Sequence, residues 1–175
     1  MKTSALAAAV VMVATSAWGQ SATEKTGVNS VFGVAPSTQD FVTEAAQSDM
    51  FEIGSSKLAL EKSDQATKKF AQQMINDHTK TTTELKGLVS NGTVKATLPT
   101  AMSGKQQGML KDLQQRQGED FTKLYHSDQV DGHKDAVDLF KRYGEKGEQA
   151  DLKAWAAKTL PTLQHHLEMA KALNK

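Results

Sequence analysis

The chain has 175 residues, and the first nineteen read as removable, leaving 156, the size of one ordinary domain. It has no cysteine, which excludes a disulfide framework, a thiolate zinc site, a cysteine nucleophile and a lipid anchor on cysteine. Lysine plus arginine is 21 and aspartate plus glutamate is 20, and Lys2 is the only charge in the removable segment. The remainder is neutral and has no basic block, which argues against nucleic acid or an anionic membrane surface as partner.

Met1 to Ser4 form a short positive start, and Ala5 to Ala14 is an apolar run of ten. Ala17 and Gly19 then supply the small residues of a cleavage site, so cleavage is expected after Gly19. Spanning a bilayer takes about 20 apolar residues, twice this run. The expected product is soluble, in the bacterial periplasm or outside the cell, with no integral membrane segment after signal removal. That compartment is oxidising, so without cysteine the stability must come from packing.

Residues 20–36 are small and polar and read as a flexible leader. Four long helical patterns follow, in a chain rich in good helix formers. The first runs from about Thr38 to Lys62, with Ser37 or Thr38 as cap and Asp40 in its first turn. The second runs from about Asp64 to Ser90, with Ser63 as cap and Asn91-Gly92 as stop. Residues 91–103 form a loop, and a short helix fits Lys105 to Gln117, where Gly118 breaks it. The third long helix spans about Glu119 to Lys146, and the fourth about Glu148 to Asn174, with a kink expected at Pro161. Tight joints make antiparallel pairs. The expected fold is all-α: a ferritin-like four-helix bundle over residues 37–175, two helical hairpins joined by a long crossover with a short extra helix. An up-and-down bundle is the main alternative. No alternation of period two suggests a sheet.

On a helical wheel each long helix turns one ionisable residue inward. His78 falls in the middle of the stripe Phe70, Met74, Leu85 and Val89. His133 lies within the arc of Phe121, Tyr125, Ala136 and Phe140, with Gln129 beside it. His166 lies on the edge of the stripe Leu152, Trp155, Leu163 and Leu167, and His165 points away. In the first helix Asp49 falls at the centre of the stripe and Glu52 on its flank. If both hairpins have their joints at the same end, His78 and His133 share a level. Glu52 then lies about one turn nearer that end and His166 one to two turns further away.

Imidazoles and a carboxylate converging inside a bundle are a metal-site constellation, so Glu52, His78, His133 and His166 are the candidate ligands of a divalent transition metal. The plainer reading comes first. Buried histidines are often neutral and hydrogen-bonded across a core, here with Glu52 accepting from His78 and Tyr125 or Tyr143 serving His133. Acid–base catalysis ranks last. Asp77, adjacent to His78, points about 100° away and belongs on the flank. No Gly-rich phosphate loop, Gly-x-Ser-x-Gly elbow or Glu-x-x-His pair occurs, and the last absence argues against di-iron chemistry.

Several stretches together resemble the bacterial exported family called domain of unknown function 4142, whose members are often labelled outer membrane proteins. They are Asp40-Phe41-Val42 with Glu44-Ala45-Ala46 and Glu52-Ile53; Phe70-Ala71-Gln72-Gln73-Met74 with Asp77-His78-Thr79-Lys80; Gln129-Val130 with His133, Leu139-Phe140 and Tyr143; and Leu160-Pro161-Thr162-Leu163 with His166-Leu167. The resemblance covers about Gln39 to Ala172. It implies a ferritin-like fold and export, with recurrent polar positions at Glu52, His78, His133 and His166, and it supplies no reaction. Family members usually carry a small residue where Asp49 stands. The leading expectation is a non-catalytic binding or envelope-stress role. A metal-binding or redox bundle is second. An assembly module is third, in which the 91–117 crossover would meet a second copy or an envelope protein through Met102, Met109, Leu110 and Leu113.

Overall fold

The computed structural model describes residues 28–175. The expected signal segment lies outside them. The described residues form helices only: α1 (Val28–Val31), α2 (Thr38–Lys62), α3 (Gln65–Ser90), α4 (Gly104–Gln115), α5 (Gly118–Lys146) and α6 (Ala150–Leu173). None is long and apolar enough to cross a membrane.

Local chemistry sets the helix boundaries. Ser37 caps α2 by accepting from the Asp40 amide, and its hydroxyl donates back to the Asp40 carboxylate at 2.9 Å. Asp64, not the expected Ser63, caps α3 by accepting from the Thr67 amide at 2.9 Å. A carboxylate at that position also complements the positive end of the helix. Ser103 and Gln106 close a capping box on α4. Gly118 takes φ +56°, a left-handed conformation that costs glycine nothing, and turns the chain from α4 into α5. Helix α6 runs through Pro161 without interruption.

The described part of the expected leader lies against the bundle. Ser30 donates to Asp138 at 2.8 Å, Arg142 donates to the Val34 carbonyl at 2.7 Å, and Lys146 donates to the Gly33 carbonyl at 2.9 Å.

Helices α2 and α3 form one hairpin and α5 and α6 the other, with α2 packed on α5 and α3 on α6. The α3-to-α5 link therefore crosses a diagonal. That is the crossover layout, since an up-and-down bundle would seat α3 beside α5. Helix α4 lies along α2 within this link. Leu113 is fully buried, and Met102, Met109 and Leu110, partly buried, pack against the same core cluster.

Two apolar clusters fill the bundle ends. One gathers Phe41, Leu85, Phe140, Tyr143, Leu152 and Trp155, and the other gathers Phe51, Phe70, Met74, Leu113, Phe121 and Tyr125. The N-terminal half of α2 therefore meets the C-terminal half of α5. The two hairpin joints lie at opposite ends, not at the same end as the level comparison supposed, and α5 runs parallel to α3. Counted from the end holding Phe41 and Tyr143, Glu52, His78, His133 and His166 all lie 12 to 16 residues along their helices, roughly 18–24 Å. The opposed joints bring the four side chains to one level in the middle of the bundle.

Candidate metal centre

The histidines reach this level because each occupies a core position of its own helix. In α3 the inner stripe Phe70, Met74, His78, Thr81, Leu85 is spaced by three and four residues. Phe121, Tyr125, Gln129, His133, Ala136 and Phe140 do the same in α5, and Leu152, Trp155, Thr159, Leu163, His166 and Ala170 in α6. His78, His133 and His166 are each at most 2% exposed. Their ring centroids are 5.6 Å apart for His78–His133, 5.5 Å for His78–His166 and 5.4 Å for His133–His166. One ring nitrogen from each lies within 4.8 Å of one from each of the others.

Each ring is held from outside by its second nitrogen. His78 Nδ1 meets Asp49 Oδ1 at 2.8 Å, His133 Nδ1 meets the Gln129 carbonyl at 2.8 Å, and His166 Nε2 meets Asp77 Oδ2 at 2.9 Å. A carbonyl oxygen only accepts, so His133 carries its proton on Nδ1 and its Nε2 lone pair is free. Both carboxylates impose the same polarity on their partners. Asp49 is itself fixed, since Thr81 and Thr82 hydroxyls donate to its Oδ2 at 2.8 and 2.9 Å. The nitrogens left over, His78 Nε2, His133 Nε2 and His166 Nδ1, are buried with no hydrogen-bond partner.

The charges follow from this arrangement. Burial opposes a proton on His78, but the Asp49 hydrogen bond and charge, with Glu52 and Asp77 nearby, outweigh it and raise its pKa above the ordinary histidine value. Burial, reinforced by repulsion from His78 when that ring is protonated, pushes His133 down to about 3 despite its carbonyl bond. Burial and His78 likewise push His166 down to about 4 against the pull of Asp77.

Glu52 is the fourth expected ligand, and it stands beside the trio rather than within it. Its carboxyl is 1% exposed, its Oε2 has no hydrogen-bond partner, and its Oε1 lies against α5 where a Cβ on Gly132 would come within 3.1 Å. Burial raises its pKa to about 7, while the His78 charge and a Gln129 hydrogen bond pull the other way. The partners expected for a plain polar network are elsewhere: Tyr125 pairs with Ser56 at 2.9 Å, Tyr143 with Thr38 at 2.8 Å, and His78 with Asp49 in place of Glu52.

Sequence reasoning missed the outer partners Asp49 and Asp77. Asp49 had a readable signal, a carboxylate at the centre of an apolar stripe. Asp77 does point away from His78, as helical geometry requires, and reaches His166 on the neighbouring helix. His165 is exposed, and His126 pairs with Thr67 at 2.9 Å outside the layer.

With all three rings neutral, their unpartnered nitrogens are lone pairs buried in one water-poor region, which is costly unless a cation accepts them. The donor set suits a divalent transition metal that favours imidazole, such as zinc, copper, nickel or cobalt. Outward hydrogen bonds from the other ring nitrogens are what metal-bound histidines require. Three nitrogens with an acid to one side are also the donor set of centres that keep an exchangeable position. Glu52 in turn lines a cleft of about 380 Å³ between α2, α5 and the start of α4.

A family model described as Domain of unknown function (DUF4142) matches residues 23–173. No curated protein and no solved structure matches the chain.

Proposed function

The chain belongs to the DUF4142 family, and from the geometry of its central layer we propose that it is a metal-binding helical bundle. His78, His133 and His166 would hold one divalent transition metal, and Glu52 would supply an oxygen on the cleft side. The observation that carries this reading is the three buried imidazole nitrogens that face one another without partners while their opposite nitrogens are anchored outward. A network built only for packing would use those nitrogens, because an unsatisfied buried polar group costs about 1–3 kcal/mol. A metal competes with a proton for the inner nitrogen of His78, so affinity should fall as pH falls.

Residues 1–19 carry the pattern of an export signal, so we read the metal as one met outside the cytoplasm, with storage, sensing or redox chemistry as the roles open to it. The test is elemental analysis of untagged protein isolated from the periplasm. About one equivalent of metal is expected, and it should be lost in His78→Ala and His133→Ala. Metal equally absent from wild type and variants after exposure to zinc, copper, nickel and cobalt would overturn the proposal.

A further inference from the structure

The cleft beside Glu52 has a composition that the chain as a whole does not share. The chain is nearly neutral, yet Glu44, Glu52, Asp131 and Asp135 all line this cleft, and Lys105 is its single basic residue. Asp131 pairs with Lys134 at 3.0 Å, but both side chains are mostly exposed, and such a pair is weak. Glu52 borders both compartments. Its side chain lines the cleft, and its charge acts on His78 within the layer. It is buried, and one of its oxygens has no partner. Gly132, next to His133 in sequence, provides the space against α5 in which that carboxyl lies.

We propose that this acidic cleft is the route by which a divalent cation reaches the histidines, with Glu52 as the carboxylate that takes the ion at its inner end and passes it to the three rings. The inference rests on the metal-binding reading above and adds a direction of approach to it. A concave surface of one charge sign between apolar walls raises the local concentration of the opposite ion and speeds its capture. Gln47 and Ser48 add side-chain oxygen atoms to the lining, Ser103 and Gln106 hold each other in the capping box of α4, and Phe51, Met109 and Leu139 supply apolar wall. Hard oxygen donors hold a hydrated ion weakly, and imidazole holds a transition metal more strongly, so the path runs from weak to strong ligands.

The experiment is stopped-flow mixing of the full chain with cobalt(II), read by the visible absorption of bound cobalt. Asp131→Asn with Asp135→Asn should slow association about tenfold at low salt. Lys105→Glu, a change at an exposed side chain, should speed it severalfold, which keeps the proposal testable if the double variant folds poorly. Both should approach the wild-type rate at high salt. Asp120→Asn with Asp151→Asn, which removes the same charge outside the cleft, should leave the rate unchanged. A cobalt signal whose rate ignores both cleft variants, or responds equally to the control, overturns the route alone. Absence of any cobalt signal in the unmodified chain overturns the metal centre, and the route with it.

Discussion

The aromatic end of the bundle and its central layer treat buried polar atoms in opposite ways. At the aromatic end Phe41 stacks on Tyr143 at 4.2 Å and packs edge-on against Phe140 at 5.0 Å, and the polar tips of Tyr143 and Trp155 both have partners. The Tyr143 hydroxyl pairs with Thr38, and Trp155 Nε1 donates to Glu84 at 2.8 Å. In the central layer Glu52 Oε2, His78 Nε2, His133 Nε2 and His166 Nδ1 have none. The same four helices supply both regions, so the contrast is not a general looseness of packing. A fold that satisfies its polar groups at one end and leaves them open in the middle has kept the middle for something else.

The contrast breaks most visibly under large substitutions. Phe41→Ala should cost about 3–5 kcal/mol of folding stability and leave the rise in melting temperature on adding zinc intact. His133→Ala should do the reverse in kind. Saturating zinc should stabilise the wild type by about 3–4 kcal/mol at 100 to 1,000 times its dissociation constant, and that gain should vanish in the variant. Calorimetric melts with and without zinc read both. A metal response lost in Phe41→Ala and kept in His133→Ala would invert the assignment of the two regions.

A smaller effect sharpens the role of the outer partners. Asp49→Asn keeps the shape but removes the charge that orients His78, and should weaken zinc affinity about 10- to 100-fold in a competition titration. An unchanged affinity would mean that the ring is fixed by packing alone.

The pH dependence separates the layer's two kinds of group. The folded pKa of His133 is depressed, so the unfolded chain binds a proton that the buried ring refuses. Metal-free wild type should lose stability relative to His133→Leu as pH falls from 6.5 toward about 3, at about 1.4 kcal/mol per pH unit. The folded pKa of Glu52 is raised, so its contribution has the opposite sign. It is fully present below 4.5 and lost as pH rises through about 7, and Glu52→Gln should gain on wild type across that interval. Chemical denaturation at several pH values measures both slopes, and slopes of the same sign would refute the assignment. The smallest effect belongs to the satisfied end. Tyr143→Phe removes one hydrogen bond and should cost about 0.5–1.5 kcal/mol, with no change in metal affinity.

The sequence showed much of this and missed a specific part. Core stripes spaced by three and four residues placed His78, His133 and His166 inward, because that spacing alone decides which face of a helix is buried. Helix direction was not legible. The level comparison took both joints at one end, whereas the crossover carries the chain the length of the bundle and opposes them. Asp77 illustrates a second limit: a wheel shows that it leaves its own helix away from His78, but not which neighbouring ring it meets. Asp49 was visible at the centre of its stripe, yet its bond to His78 depends on how α2 and α3 face each other across the hairpin. Within one helix periodicity suffices, and between helices it does not.

The most direct test is the X-ray absorption spectrum of the zinc-loaded, untagged chain. The account predicts three imidazole nitrogens at about 2.0–2.1 Å together with an oxygen donor, and loss of imidazole scattering in His166→Ala. A coordination shell of oxygen alone, or one unchanged by that substitution, would contradict it.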